Sequence, residues 1–106
     1  MANGVQFAGE ISQSAAEVIY TPGANKAAVV NVNFCNRGSN SVRVRLGYCA
    51  SATTVAAWYI EYGAVVPANG VLERTALVLS GTQTLIAECE TASSMQVTCW
   101  AVEDTL

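Results

Sequence analysis

The sequence contains no histidine and few charged side chains of any kind. Its 106 residues include 5 basic and 8 acidic side chains and no imidazole. Without histidine there is no Ser-His-Asp or Cys-His nucleophile pair, no His-ligated metal and no imidazole acid or base. The sequence therefore predicts a protein that is not an enzyme and that binds no cofactor and no metal.

Positive charge and long apolar runs are also scarce. The formal net charge is −3, whereas binding to a phosphate backbone needs a basic face. The longest uninterrupted apolar run covers residues 55–60, far short of the roughly 18 residues of a membrane span. We expect no direct contact with nucleic acid and no membrane partner. The first residues lack the basic and apolar regions of a signal peptide, which predicts synthesis in a cytoplasm.

What the chain has in excess is uncharged surface. Charged residues make up 12% and hydrophobic residues 52% of the sequence, against about 25% charged residues in an average soluble domain. So few charges leave apolar area on the outside of a small domain, and such area is usually covered by a partner. The composition therefore predicts a surface that is covered by a partner or by a second copy of the chain in a homo-oligomer.

Apolar residues alternate with polar ones in four segments of the chain. Ala28, Val30, Val32 and Phe34 fall on one side of an extended segment, and residues 42–48, 85–89 and 95–101 show the same period of two. With the turn signals between them, about seven or eight strands of roughly 4 to 8 residues are expected. This predicts an all-β fold, a single antiparallel β-sandwich of jelly-roll-like form.

The organisation along the chain follows from the turn residues. Residues 1–15 show no clear period and are predicted to be an N-terminal arm or an edge strand, and residues 16–106 form the sandwich domain. The turn-rich segment 36–40 predicts a hairpin between residues 28–35 and 42–49. A second hairpin is predicted between residues 85–89 and 95–101.

Four cysteines require a separate interpretation, because no two of them are closely spaced as in structural zinc sites. Cys89 and Cys99 occupy apolar positions and are predicted to be small core side chains. Cys35 and Cys49 have the opposite parity and should face outward, either against a second buried layer or where another subunit could reach them. We expect one of these two to form an intersubunit disulfide once the assembly leaves the reducing cell.

Four of the charged residues lie in two short clusters. Arg43 and Arg45 belong to the first predicted hairpin, and Glu88 and Glu90 belong to the second. With opposite signs at the two ends of the chain, these four residues are predicted to be interface charges between copies, although the glutamates alone are typical of a solvated face.

Three aromatic residues lie close together in one predicted strand. Aromatic residues in strands are commonly core residues or cross-strand pairs, and this is the first interpretation of Trp58, Tyr59 and Tyr62. The alternative is that the three rings stack on a sugar and form a glycan-binding surface.

Two stretches of the chain form a pattern of strands and turns. The first is IYTPGANKAAVVNVNFCNRG at residues 19–38. The second comprises WYIEY at 58–62, VVPANGVLER at 65–74 and LVL at 77–79, followed by a closing segment that ends in Glu103 and Asp104. Over roughly residues 16 to 104, this pattern resembles small β-sandwich domains of tailed-bacteriophage virion proteins.

The resemblance implies a non-enzymatic building block located in a virion. The first expectation is a capsid decoration, or cement, protein that binds the major capsid protein and neighbouring copies of itself as a dimer or trimer. A structural subunit of the neck or collar, the tail or a fibre is the alternative. A glycan-binding module is the second alternative.

Overall fold

The computed structural model describes residues 3–11, 17–49, 58–81, 83–90 and 95–105. The described residues form eight β-strands: β1 (Asn3–Glu10), β2 (Glu17–Tyr20), β3 (Lys26–Asn36), β4 (Val42–Cys49), β5 (Trp58–Val66), β6 (Val71–Ser80), β7 (Thr84–Cys89) and β8 (Met95–Thr105).

The strands form two antiparallel sheets with the connectivity of a jelly roll. Sheet A has the order β1-β8-β3-β6, and sheet B has the order β2-β7-β4-β5. A jelly roll is an eight-stranded double sheet built from two Greek keys, and this strand order has that form. The predicted all-β sandwich is therefore confirmed, with strands of 4 to 11 residues.

The core lies between the two sheets and consists of the side chains that the alternation placed inward. Val30, Val32 and Phe34 of β3 are fully buried, and they pack in one cluster with Val44 and Leu46 of β4. The inward positions of β7 and β8 belong to the same cluster. Alternation with a period of two therefore identified the correct face of all four strands.

Both predicted hairpins are wrong. Strand β3 pairs with β6 and β8, whereas β4 pairs with β5 and β7. Likewise β7 lies in sheet B and β8 in sheet A. The chain crosses from one sheet to the other after β3 and after β7, because turn residues reverse the chain without determining which strand the next one pairs with.

Strand β1 is the edge strand of sheet A and pairs with β8, so the start of the chain belongs to the sandwich. The predicted boundary between residues 15 and 16 lies outside the described residues.

Polar contacts join the two sheets at their margins. The buried Asn36 at the end of β3 donates from Nδ2 to the carbonyl oxygen of Val66 in β5 at 3.1 Å. The Arg74 guanidinium on β6 pairs with the Glu61 carboxylate on β5. These contacts fix the sheets against each other where the apolar core ends.

Candidate functional site

The outer side of sheet A carries a row of exposed valines. Val29 of β3 lies opposite Val102 of β8 and opposite Val78 of β6, so the three side chains project from the same side of the sheet. Val78 is 68% exposed, Val102 is 62% exposed and Val29 is 48% exposed. These residues are outward because Ala28 and Val30, their neighbours in β3, are buried in the core.

The next row of the same sheet extends this surface to its other edge. Val5 of β1 lies opposite Trp100 of β8, which in turn lies opposite Asn31 of β3. Val5 and Trp100 are both exposed. We refer to the exposed side chains of these two rows as the apolar face: Val5, Val29, Val78, Trp100 and Val102.

The apolar face reaches across all four strands of sheet A, and no position in these two rows is charged. The nearest outward charges are Asp104 of β8, in the next row opposite Ala27, and Glu73 of β6, in a later row opposite Asn33. Continuous exposed apolar surface is typical of interaction sites, whereas single exposed hydrophobic residues are common on any protein surface.

The outer side of sheet B has a different chemistry. A groove of about 380 Å³ lies over β4, β5 and β7. We refer to it as the polar groove, and its lining residues are Arg43, Arg45, Tyr62, Gly63, Glu88, Cys89 and Glu90.

Side chains in the polar groove hold one another in place. Arg45 donates from Nη1 to Glu88 Oε1 at 3.3 Å, and its guanidinium carbon lies 4.1 Å from the centroid of the Tyr62 ring. The Tyr62 ring contacts Tyr59 edge-on, with 4.8 Å between ring centroids. A cation over an aromatic ring and an edge-to-face aromatic pair are both favourable geometries, so Tyr62 is fixed while it stays 65% exposed.

The structure brings the four predicted interface charges together within one chain. Arg45 and Glu88 form an ion pair, and the Arg43 backbone N–H donates to Glu90 Oε1 at 3.0 Å. The basic and acidic clusters, which are far apart along the chain, therefore meet in space, because β4 and β7 are neighbours in sheet B. An intersubunit role for these four residues stays a prediction.

The three aromatic residues do not share one surface. Tyr62 lies opposite Arg45 and Tyr59 lies opposite Gly47, both on the outer side, whereas Trp58 lies opposite Tyr48. The pairing shifts register between Leu46 and Gly47, and a residue added in this way turns the following side chains to the other side. A single stacking platform of all three is therefore absent, although all three are exposed.

The cysteines separate into buried and half-buried positions, and all four are free thiols. Cys89 and Cys99 lie in the core, as predicted. Burial raises the pKa of the Cys99 thiol to about 12, because the thiolate loses its hydration.

Of the two cysteines predicted to face outward, only Cys35 is accessible. It is half-buried on the outer side of sheet A. Cys49 is 1% exposed, and its cross-strand partner Thr84 is buried as well. The outer side of sheet B is covered at this end, which agrees with the alternative that Cys49 faces a second buried layer and not with access by another subunit. The intersubunit disulfide stays a prediction that depends on Cys35 alone.

A buried ionisable pair escaped the sequence interpretation. The Tyr20 hydroxyl of β2 donates to the Glu103 carboxylate of β8, which also accepts from the Gly23 N–H at 3.3 Å. Burial raises the pKa of Tyr20 above its ordinary value, and the hydrogen bond to Glu103 adds to this shift. The alternation of β8 could have predicted a buried carboxylate, because Glu103 falls on an inward position of that strand. The pair joins the two sheets.

The described residues contain no group of three or more cysteine, aspartate and glutamate side chains that could hold a metal ion. In the same part of the chain, no helix has the length and apolar character needed to cross a membrane.

Comparison of the chain with family models, with curated proteins and with solved structures found no match. The apolar face, the polar groove and the sequence resemblance are therefore the observations that bear on function.

Proposed function

We propose that this protein is a non-enzymatic structural subunit of a bacteriophage virion and that it decorates the capsid shell. One structural observation supports a packing role most strongly: the uncharged apolar face spans all four strands of sheet A. The virion assignment comes from the resemblance of residues 19–38 and 58–79 to virion β-sandwich domains.

The apolar face lies within a sheet surface that approaches the size of a contact between copies. The whole outer side of sheet A, four strands about 4.8 Å apart and about ten residues long, presents roughly 600 Å², and a standard interface buries about 800 Å² on each partner. Sheets pack face to face at about 10 Å when side chains interdigitate. The exposed valine and tryptophan side chains of the apolar face suit this kind of interdigitated packing.

The occupant that we propose for the apolar face is the same face of a second copy. Its two rows carry no charge, so when they meet the same two rows of a second copy no like charges oppose each other within them. Of the two oligomers expected from the sequence, the dimer and the trimer, this isologous contact gives the dimer. The major capsid protein would then be contacted by the turns at the ends of the sandwich, such as residues 37–41 and 67–70.

A decoration protein differs from the other virion parts in copy number. Shell symmetry presents its binding site on the order of hundreds of times, whereas a neck, collar, tail or fibre subunit occupies a single position on the particle. Quantitative gel densitometry of purified particles, with the major capsid protein as internal standard, measures this directly. We expect hundreds of copies per particle.

A count of a dozen copies or fewer would reject the decoration role and favour the neck, tail or fibre. Absence from purified particles would reject the virion role altogether. As a second arm, the purified protein is added to particles that lack it, and we expect it to bind the shell to saturation.

A further inference from the structure

We propose that the polar groove on the outer side of sheet B binds an uncharged saccharide. The proposal goes beyond the packing role, and it is independent of that role because it concerns the opposite sheet. It rests on the charge balance of the polar groove, on the fixed and exposed ring of Tyr62 and on the open space beside that ring.

The charge balance of the polar groove favours a neutral ligand. Two arginines and two glutamates line it, so a phosphate or a carboxylate would meet acidic side chains as well as basic ones. A polyhydroxylated ligand uses both, because each sugar hydroxyl donates one hydrogen bond and accepts others. Charged side chains strengthen such hydrogen bonds.

Two groups in the polar groove are available for these hydrogen bonds. The exposed guanidinium of Arg43 has no partner among the described residues, since its contacts with Glu90 use the backbone: its N–H donates to Glu90 Oε1, and its carbonyl oxygen accepts from the Glu90 N–H. Glu90 is exposed as well and accepts that bond through Oε1 alone. Arg43 would donate to the ligand and Glu90 would accept from it.

Tyr62 supplies the apolar part of the site. Its ring is held by Arg45 on β4 and by Tyr59 on the same strand, and Arg45 is in turn held by Glu88. A ring fixed before binding loses little freedom when a sugar stacks on it, which favours affinity. The ring remains largely exposed, so the C–H side of a sugar ring can reach it.

Gly63 keeps the space beside Tyr62 open. Its φ is +84°, in the region that favours glycine, and a Cβ built on it has no heavy atom within 4 Å. The polar groove of about 380 Å³ falls within the usual range of small-ligand sites, about 300 to 1,000 Å³.

The experiment is a calorimetric titration of the full chain against defined oligosaccharides. The neutral probes are oligomers of glucose, galactose, mannose and rhamnose, and oligogalacturonate is the anionic probe. We expect saturable binding of at least one neutral probe and little change in its affinity between low and high salt.

Three variants locate the site. Tyr62→Ala should weaken binding about tenfold through loss of stacking, and Arg43→Gln should weaken it several-fold. Trp58→Ala is the matched control, because Trp58 lies on the same strand and is 70% exposed but does not line the polar groove. Its affinity should equal that of the wild type. Arg43→Gln removes no contact within the described residues, so it remains informative if Tyr62→Ala does not fold.

Several outcomes would overturn the proposal. These are the absence of saturable binding to every neutral probe at millimolar concentration, binding of oligogalacturonate alone with loss at high salt, and a loss of affinity in Trp58→Ala that equals or exceeds the loss in Tyr62→Ala. None of them bears on the copy number in the virion, so the two proposals fail separately.

Discussion

The two sheets share one core but present opposite chemistry to the outside. On sheet A the central outward positions are Val29, Val102 and Trp100, and they are exposed without charge. On sheet B the outward positions Arg45 and Glu88 neutralise each other and support an aromatic ring. An apolar face of this kind is stabilised by permanent burial, whereas a charge-balanced groove stays hydrated until a ligand enters.

This difference shows how a small sandwich can carry two roles. The inward side chains of both sheets are alike, because they fill one core. Only the outward side chains of each strand are free to vary, so the two sheets can present different surfaces. A change on one outer side should therefore leave the other side unaffected.

The largest expected effect comes from a charge in the middle of the apolar face. Val29→Glu places a carboxylate between Val78 and Val102, and in a two-fold contact it brings two such charges together. We expect the dissociation constant of the dimer to rise more than about a hundredfold, as measured by sedimentation equilibrium. Val65→Glu is the control, because Val65 is similarly exposed on β5 of sheet B. Equal dissociation constants for the two variants would contradict the proposed difference between the two sheets.

The next effect tests how tightly the outer side of sheet B is packed. A Cβ at Gly47 would lie 2.7 Å from the Trp58 carbonyl oxygen and 3.1 Å from Tyr59 Cδ1. Gly47→Ala should lower the free energy of unfolding by about 2 to 3 kcal/mol, because the strand β5 backbone must move. Gly9→Ala on sheet A is the control, since its nearest neighbour would be at 3.7 Å. Urea denaturation that gives the two variants the same stability would show that sheet B has no such close contact.

Alkaline pH should act on the buried side of sheet A. The Cys99 pKa is raised to about 12, so the folded state favours the protonated thiol. This contribution is complete below the ordinary thiol pKa of about 8.5 and is lost as the pH rises toward 12. We expect the melting temperature to fall by several degrees between pH 8.5 and 11, and Cys99→Val to reduce that fall. An unchanged fall in the variant would assign the effect to other groups, such as Tyr20.

A smaller effect concerns the ion pair in the polar groove. Glu88→Gln removes the charge that pairs with Arg45, and we expect a loss of about 0.5 kcal/mol in the free energy of unfolding, because the Arg45 side chain is 43% exposed. The loss should shrink in high salt. Glu73→Gln on sheet A should have no measurable effect and serves as the control in the same thermal denaturation series. A loss of several kcal/mol in the free energy of unfolding of Glu88→Gln would contradict this and make the ion pair a major contributor to stability.

The smallest effect is expected at the edge of sheet A. Ala76 has a φ of +58°, a conformation that costs any residue with a Cβ, and its N–H donates to Asn31 Oδ1 at 2.9 Å. Ala76→Gly should stabilise the protein by about 0.5 kcal/mol, because glycine relieves the strain but loses more chain entropy. A slightly higher melting temperature is the expected result. A lower one would show that the bend in β6 is not strained.

The sequence predicted the fold class and the core but not the strand pairing. Alternation is local, so Phe34 and Leu46 could be placed in the core from their neighbours alone. Pairing is not local, because β3 finds its partners in β6 and β8, tens of residues away. A turn between β3 and β4 is compatible both with a hairpin and with a crossing between sheets.

The same difference between local alternation and non-local pairing limited the prediction of the candidate sites. The residue types of the polar groove were recognised in the sequence, but their assembly was not, because Arg45 and Glu88 meet only when β4 and β7 pair. The apolar face was anticipated only as an excess of uncharged surface. Its position on sheet A required the register that aligns Val29 with Val78 and Val102.

The most direct test of the account uses the two tryptophans of the chain. Trp100 lies in the apolar face, and Trp58 lies on sheet B. Acrylamide quenching of the variants Trp58→Phe and Trp100→Phe reports each remaining indole separately, over a dilution series that spans assembly. We predict that Trp100 becomes accessible only on dilution, while Trp58 is quenched equally at every concentration. Protection of Trp58 with Trp100 fully accessible in the assembled protein would contradict the account.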